Sequence, residues 1–109
     1  MTTVAADAPR LLVVDDEEGI RTTLEVLFRR AGYRVTLAAD GNQAAAVIRD
    51  EEPFDLVVTD LAMPGMDGIE VLRKAKERSV ETQVLVITAH ATVEKAIAAM
   101  RLGAYDFVQ

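Results

Sequence analysis

The chain has 109 residues, with 12 Lys plus Arg against 18 Asp plus Glu, a formal net charge of −6. That length admits one domain, which buries roughly 65% of the surface its unfolded chain exposes, and a composition that is half hydrophobic argues against disorder. An acidic chain lacks the basic footprint of nucleic-acid binding. The absence of cysteine removes disulfides, thiolate zinc sites and cysteine nucleophiles and points to a cytoplasmic address; one histidine builds no multi-histidine metal site. No apolar run approaches the ~20 residues of a membrane span, and residues 1–8 lack the basic-then-apolar pattern of a signal peptide.

Residues 1–9 read as a flexible amino-terminal tail closed by Pro9, and 10–109 as the domain. Leu11-Leu12-Val13-Val14 is a continuous apolar run that suits a strand buried on both faces. Ile20, Leu24, Leu27 and Phe28 then recur on one helical face, and Gly32 is placed to end that helix in a left-handed cap. Val35 and Leu37 alternate with polar neighbours as a strand. Asp40 and Gln43 have capping-box spacing ahead of an alanine-rich helix over 43–50, closed by Pro53. Leu56-Val57-Val58 is the third strand, Ile69, Leu72 and Ala75 give the third helical face, and Val84 to Ile87 is the fourth strand. Thr92 can cap a fourth helix that buries Val93, Ala96, Ile97 and Met100. Gly103 ends it, and Tyr105 to Val108 begins a fifth strand. Strict alternation of this kind predicts an α/β fold, a doubly wound parallel five-stranded sheet with helices on both faces.

In such sheets ligands bind beyond the carboxyl ends of the strands. There the first strand delivers Asp15, Asp16, Glu17 and Glu18, the third Thr59 and Asp60, and the fourth Thr88, Ala89 and His90. Taken singly, Asp15 or Asp16 could cap a helix, Asp60 could start a turn, and Thr88 could simply end a strand. Together they make a carboxylate cluster. Two carboxylates 4 Å apart repel by about 4 kcal/mol at an effective dielectric near 20, so one is protonated or a cation neutralises them. An all-oxygen donor set suits Mg²⁺ shared with a phosphate oxygen. Asp60 can act as nucleophile to form an aspartyl phosphate, and the Thr88 hydroxyl can donate to a phosphate oxygen. Pro64-Gly65 after Asp60 makes a tight turn able to aim a backbone carbonyl at the metal. Asp67 caps the third helix, and Met63 and Met66 read as gap-fillers.

Asp15-Asp16, Thr59-Asp60 with Met63-Pro64-Gly65-Met66-Asp67-Gly68, and Thr88-Ala89-His90 resemble bacterial response-regulator receiver domains of two-component signalling, from about Arg10 to the end. The resemblance implies a flavodoxin-like (βα)₅ sheet of order 2-1-3-4-5. It implies Asp60 as phosphoacceptor, charged from a phosphohistidine on a sensor histidine kinase. It also implies Mg²⁺ (or Mn²⁺) bound by Asp15, Asp16, Asp60 and the Ala62 backbone carbonyl, Thr88 as the phosphate-contacting switch, and Phe107 as the switch aromatic. Without the family, Phe107 is a core or edge-strand aromatic and His90 a solvated loop residue; within it, His90 and Ala62 become modulators of phosphate lifetime. Such a domain is regulatory rather than an enzyme, with self-phosphorylation and slow self-dephosphorylation only. Thr88-Ala89-His90 and Gly103-Ala104-Tyr105-Asp106-Phe107 look like the nitrogen-regulation branch. There the receiver controls an ATPase plus helix-turn-helix output for transcription activation, binds neither nucleic acid nor membrane itself, and has room to form a homodimer.

The family also places a lysine at what would be position 110, just past Gln109, and a fifth helix beyond it. The chain thus reads as a receiver truncated at the end of the fifth strand and lacking the last helix. An uncovered sheet face is expected to destabilise the isolated chain or make it associate. The alternative function is a phosphorylation-independent interaction module of the same fold. An aspartyl-phosphate phosphatase is disfavoured because Ala62 stands where a second aspartate belongs. A flavodoxin-like cofactor domain is disfavoured by four acidic residues after the first strand, and a P-loop kinase by the lack of its motif.

Overall fold

The computed structural model describes residues 7–88 and 93–108. The elements alternate as expected: β1 Arg10–Val14, α1 Glu18–Arg30, β2 Arg34–Ala38, α2 Gly41–Asp50, β3 Leu56–Asp60, α3 Gly68–Arg78, β4 Gln83–Ile87, α4 Val93–Arg101 and β5 Asp106–Val108. The strands form one parallel sheet in the order β2-β1-β3-β4-β5. Strand order reverses between β1 and β3, and because every pairing is parallel the carboxyl ends of β1, β3 and β4 share one rim.

The two faces of the sheet are covered unequally. On one, Leu12, Val14, Val57, Val84 and Val86 pack under Ala44 and Ile48 of α2, Val71, Leu72 and Ala75 of α3, and Ala99 of α4. On the other, Leu11, Val13 and Val58 are fully buried, and among the described residues α1 is the one helix that lies over them, through Leu24 and Phe28. Toward β4 and β5 this face leaves Leu85 and Ile87 partly buried and Val108 44% exposed.

Local signals explain the element ends. Gly32 and Gly103 both take positive φ, 98° and 97°, where a side chain would be strained. Asp40 caps α2 by accepting the Gln43 N–H at 2.8 Å, while Gln43 Oε1 accepts from the Ala39 N–H at 2.9 Å, one residue earlier than in a standard capping box. Asp67 caps α3 by accepting the Glu70 N–H at 3.1 Å. Of the expected tail, residues 1–6 lie outside the described residues. Ala8 and Pro9 are fastened to β2, their carbonyls accepting from the Arg34 side chain and backbone.

Two helical faces need correction. In α1, Leu24 and Phe28 turn inward, but Ile20 and Leu27 are 40% and 55% exposed. In α4, Ile97 and Met100 are both 48% exposed, and the residue against the sheet is Ala99, with Leu102 just past the helix packing beside it. Close helix-to-sheet approach favours the smallest side chain, so the large apolar residues stand on the flank. Thr92 and the side chain of Val93 lie outside the described residues.

Candidate phosphoryl-transfer site

β1 and β3 are adjacent and in register, with Val14 opposite Thr59, so the residues that follow emerge side by side. Asp15, Asp16 and Asp60 there bring one carboxylate oxygen each within 4.8 Å of one another. Asp15 is 6% exposed, Asp16 is open to solvent and Asp60 lies between these extremes. Burial is the main cause that holds the Asp15 carboxyl above its ordinary value of 3.8. The N–H of Glu17, donating to Asp15 Oδ1 at 2.9 Å, pulls it down, and the charges of Asp60, Asp16 and Glu17 push it up. Neither Asp15 nor Asp16 caps α1: Glu17 holds the cap position, with no side-chain bond.

The loop after Asp60 is tied at several points. Asp60 Oδ1 accepts from the Ala62 N–H at 3.2 Å, and the Thr59 hydroxyl donates to the Asp60 carbonyl at 2.9 Å. The Gly68 N–H donates to the Leu61 carbonyl at 3.0 Å. Gly65 takes φ 75°, as the third residue of a Pro-Gly turn requires. Met63 is buried as a gap-filler, while Met66 is half-buried. Thr88 is buried one residue beyond Ile87, the register partner of Asp60, and its N–H donates to the Val108 carbonyl at 3.0 Å. His90 and the side chain of Phe107 lie outside the described residues; the Phe107 backbone pairs with Val86 in β5.

Two glycines, Gly68 of the acceptor-loop motif and Gly41, hold this loop in place. A Cβ on Gly68 would collide with the Asp60 carbonyl oxygen and come within 2.8 Å of Leu61 Cα. A Cβ on Gly41, the first residue of α2, would collide with the Met66 carbonyl oxygen. Motif reading passed over Arg21: its Nη1 donates to the Asp15 carbonyl at 2.7 Å. The sequence offered only one hint, Gly68 standing directly behind the Asp67 cap.

Chemically, the rim combines three hard oxygen donors, a carboxylate accessible enough to react and a hydroxyl-bearing strand end. This donor set fits a divalent cation that prefers oxygen. Burial chiefly raises the Asp15 carboxyl, the charges of Asp60 and Asp16 add to it, and a bound cation would offset those like charges. Among the described residues no helix is long and apolar enough to cross a membrane.

Comparison with known proteins agrees with this geometry. The sequence profile described as "Response regulator receiver domain" matches residues 11–109. The regulatory protein AtoC of Escherichia coli is 39% identical over 99 residues, covering 91% of this chain and 21% of that protein. The DNA-binding transcriptional regulator NtrC of Salmonella typhimurium is 36% identical over 96 residues, covering 88% and 20%. The chain thus spans about a fifth of the length of these curated relatives. Among solved structures, a response regulator protein from Burkholderia pseudomallei, crystallised with a phosphorylated aspartic acid, calcium ion and citrate, superposes with a TM-score of 0.84. It is 26% identical, with 92% of this chain and 58% of that one covered.

Proposed function

The chain belongs to the response-regulator receiver family, and on that premise we propose that Asp60 is its phosphoacceptor. The convergence of Asp15, Asp16 and Asp60 within 4.8 Å carries this reading. A carboxylate oxygen of Asp60 attacks the phosphorus of a phosphohistidine on a sensor histidine kinase. The new O–P bond forms as the P–N bond breaks, and the ring, protonated on its other nitrogen, leaves as neutral imidazole. Asp15, Asp16, Asp60 and the Ala62 carbonyl would hold Mg²⁺ or Mn²⁺, which would supply neutralising charge for the phosphoryl oxygens. The Ala62 N–H, already on Asp60 Oδ1, keeps the carboxylate turned toward the rim. Thr88 donates its hydroxyl to the phosphoryl group, and Phe107 responds to that contact. Two of the matched relatives are named as regulators, one of them a DNA-binding regulator of transcription, which supports an output that controls transcription; the ATPase plus helix-turn-helix form of that output follows from the motif resemblance alone.

Acetyl phosphate with Mg²⁺ tests the proposal without a partner. A phosphoryl adduct is expected on Asp60 by mass spectrometry, absent from Asp60→Asn. A folded wild-type chain that takes up no phosphoryl group would favour the interaction-module reading instead.

A further inference from the structure

Asp15 is fixed from several directions. Its N–H donates to the Ala38 carbonyl at 3.2 Å, and its Oδ1 accepts from the Glu17 N–H at 2.9 Å. Its carbonyl lies past Val14, the last β1 residue paired with β3, and accepts from Arg21 Nη1 at 2.7 Å. Arg21 is half-buried on the first turn of α1, and its own N–H donates to the Glu17 carbonyl. No ion pair joins Arg21 to Asp15, Asp16 or Asp60; all four are described residues. The Arg21 guanidinium therefore grips the backbone of the turn that carries Asp15 and Asp16 rather than pairing with a carboxylate of the cluster.

We propose that Arg21 is a positioning residue that locks the turn carrying Asp15 and Asp16, through its bond to the Asp15 carbonyl, so that their carboxylates are preset for a divalent cation. The inference rests on the metal site proposed above. Residues that orient metal ligands from behind set affinity by about tenfold or more. The sign of the effect separates this role from simple charge balance. Removing a cation from an acidic rim strengthens cation binding if charge is all it contributes; removing a positioning bond weakens it.

The test is calorimetric titration of the full chain with MgCl₂ and with MnCl₂, for wild type, Arg21→Met and Arg21→Lys, with thermal unfolding of each metal-free protein. Arg21→Met is expected to bind both metals about tenfold more weakly, yet to reach the wild-type rate of phosphorylation by acetyl phosphate at saturating Mg²⁺. Arg21→Lys, which keeps a donor, is expected to recover most of the affinity. Unchanged or tighter binding in folded Arg21→Met would overturn the proposal. Should Arg21→Met fail to fold, Arg21→Gln, which also lacks the guanidinium, takes its place, and unchanged or tighter binding in that folded variant would overturn the proposal as well. Wild type that binds neither metal would instead overturn the metal site itself.

Discussion

β1 meets its surroundings in opposite ways at its two ends. At Arg10 the backbone and both terminal guanidinium nitrogens are matched. The backbone N–H donates to Asp55 Oδ2 at 2.7 Å, and Nη2 pairs with Glu51 Oε1 at 2.7 Å. Nη1 reaches the carbonyls of Glu52 and Pro53, and the guanidinium lies 4.4 Å over the Phe54 ring. At the other end, Asp15, Asp16 and Asp60 crowd together with like charge, and burial raises the Asp15 carboxyl. One strand thus carries a stabilising knot at its amino end and an electrostatically uncomfortable cluster at its carboxyl end. The fold tolerates the second because the apolar run between them, Leu11 to Val14, is almost wholly buried. Stability and reactivity are placed at opposite edges of the same sheet.

That separation can be broken from either side. Arg10→Ala should show the largest effect, a loss of about 2 kcal/mol from the ring contact and the carbonyl bonds. The half-exposed Glu51 contributes little of this. Urea unfolding measures the loss, and Mg²⁺ affinity should be unchanged; a parallel fall in affinity would show that the two ends are coupled. Asp15→Asn should do the reverse, stabilising the metal-free protein at neutral pH by on the order of 1 kcal/mol while weakening Mg²⁺ binding. Because the folded state holds the Asp15 proton more tightly than the unfolded chain, stability falls as pH rises from about 3.8 through the raised value. The difference between variant and wild type should therefore shrink toward zero in acid and grow through that window; a gap independent of pH would point to packing instead. The smallest effect should come from Ala62→Asn. The alanine offers nothing to an attacking water, so the amide is expected to shorten the phosphate half-life severalfold with no change in stability. Equal half-lives would remove Ala62 from the control of dephosphorylation.

The alternation of strands and helices was legible because each apolar run is short, bounded and followed by a cap or a glycine. Asp40, Asp67, Gly32 and Gly103 all act where local chemistry places them. Strand order was not written in any periodicity; it followed from the resemblance of the acidic and hydroxyl motifs to a family. Helix burial was less legible. Counting large apolar residues chose Ile97 and Met100 over Ala99, although the small residue is the one that allows close approach. The carboxylate cluster could be read because it sits at strand ends, where the fold class directs attention. Arg21 and the packing roles of Gly41 and Gly68 could not. Each acts on another residue's backbone through a tertiary contact, and no residue type signals that in advance.

The contact between Gly41 and the Met66 carbonyl gives the acceptor loop a one-sided bearing. With no space for even a methyl group there, the loop after Asp60 and the first turn of α2 sit on each other at backbone distance. Their fit depends on the absence of a single carbon atom, so Gly41→Ala would push apart two segments that both border the acidic rim.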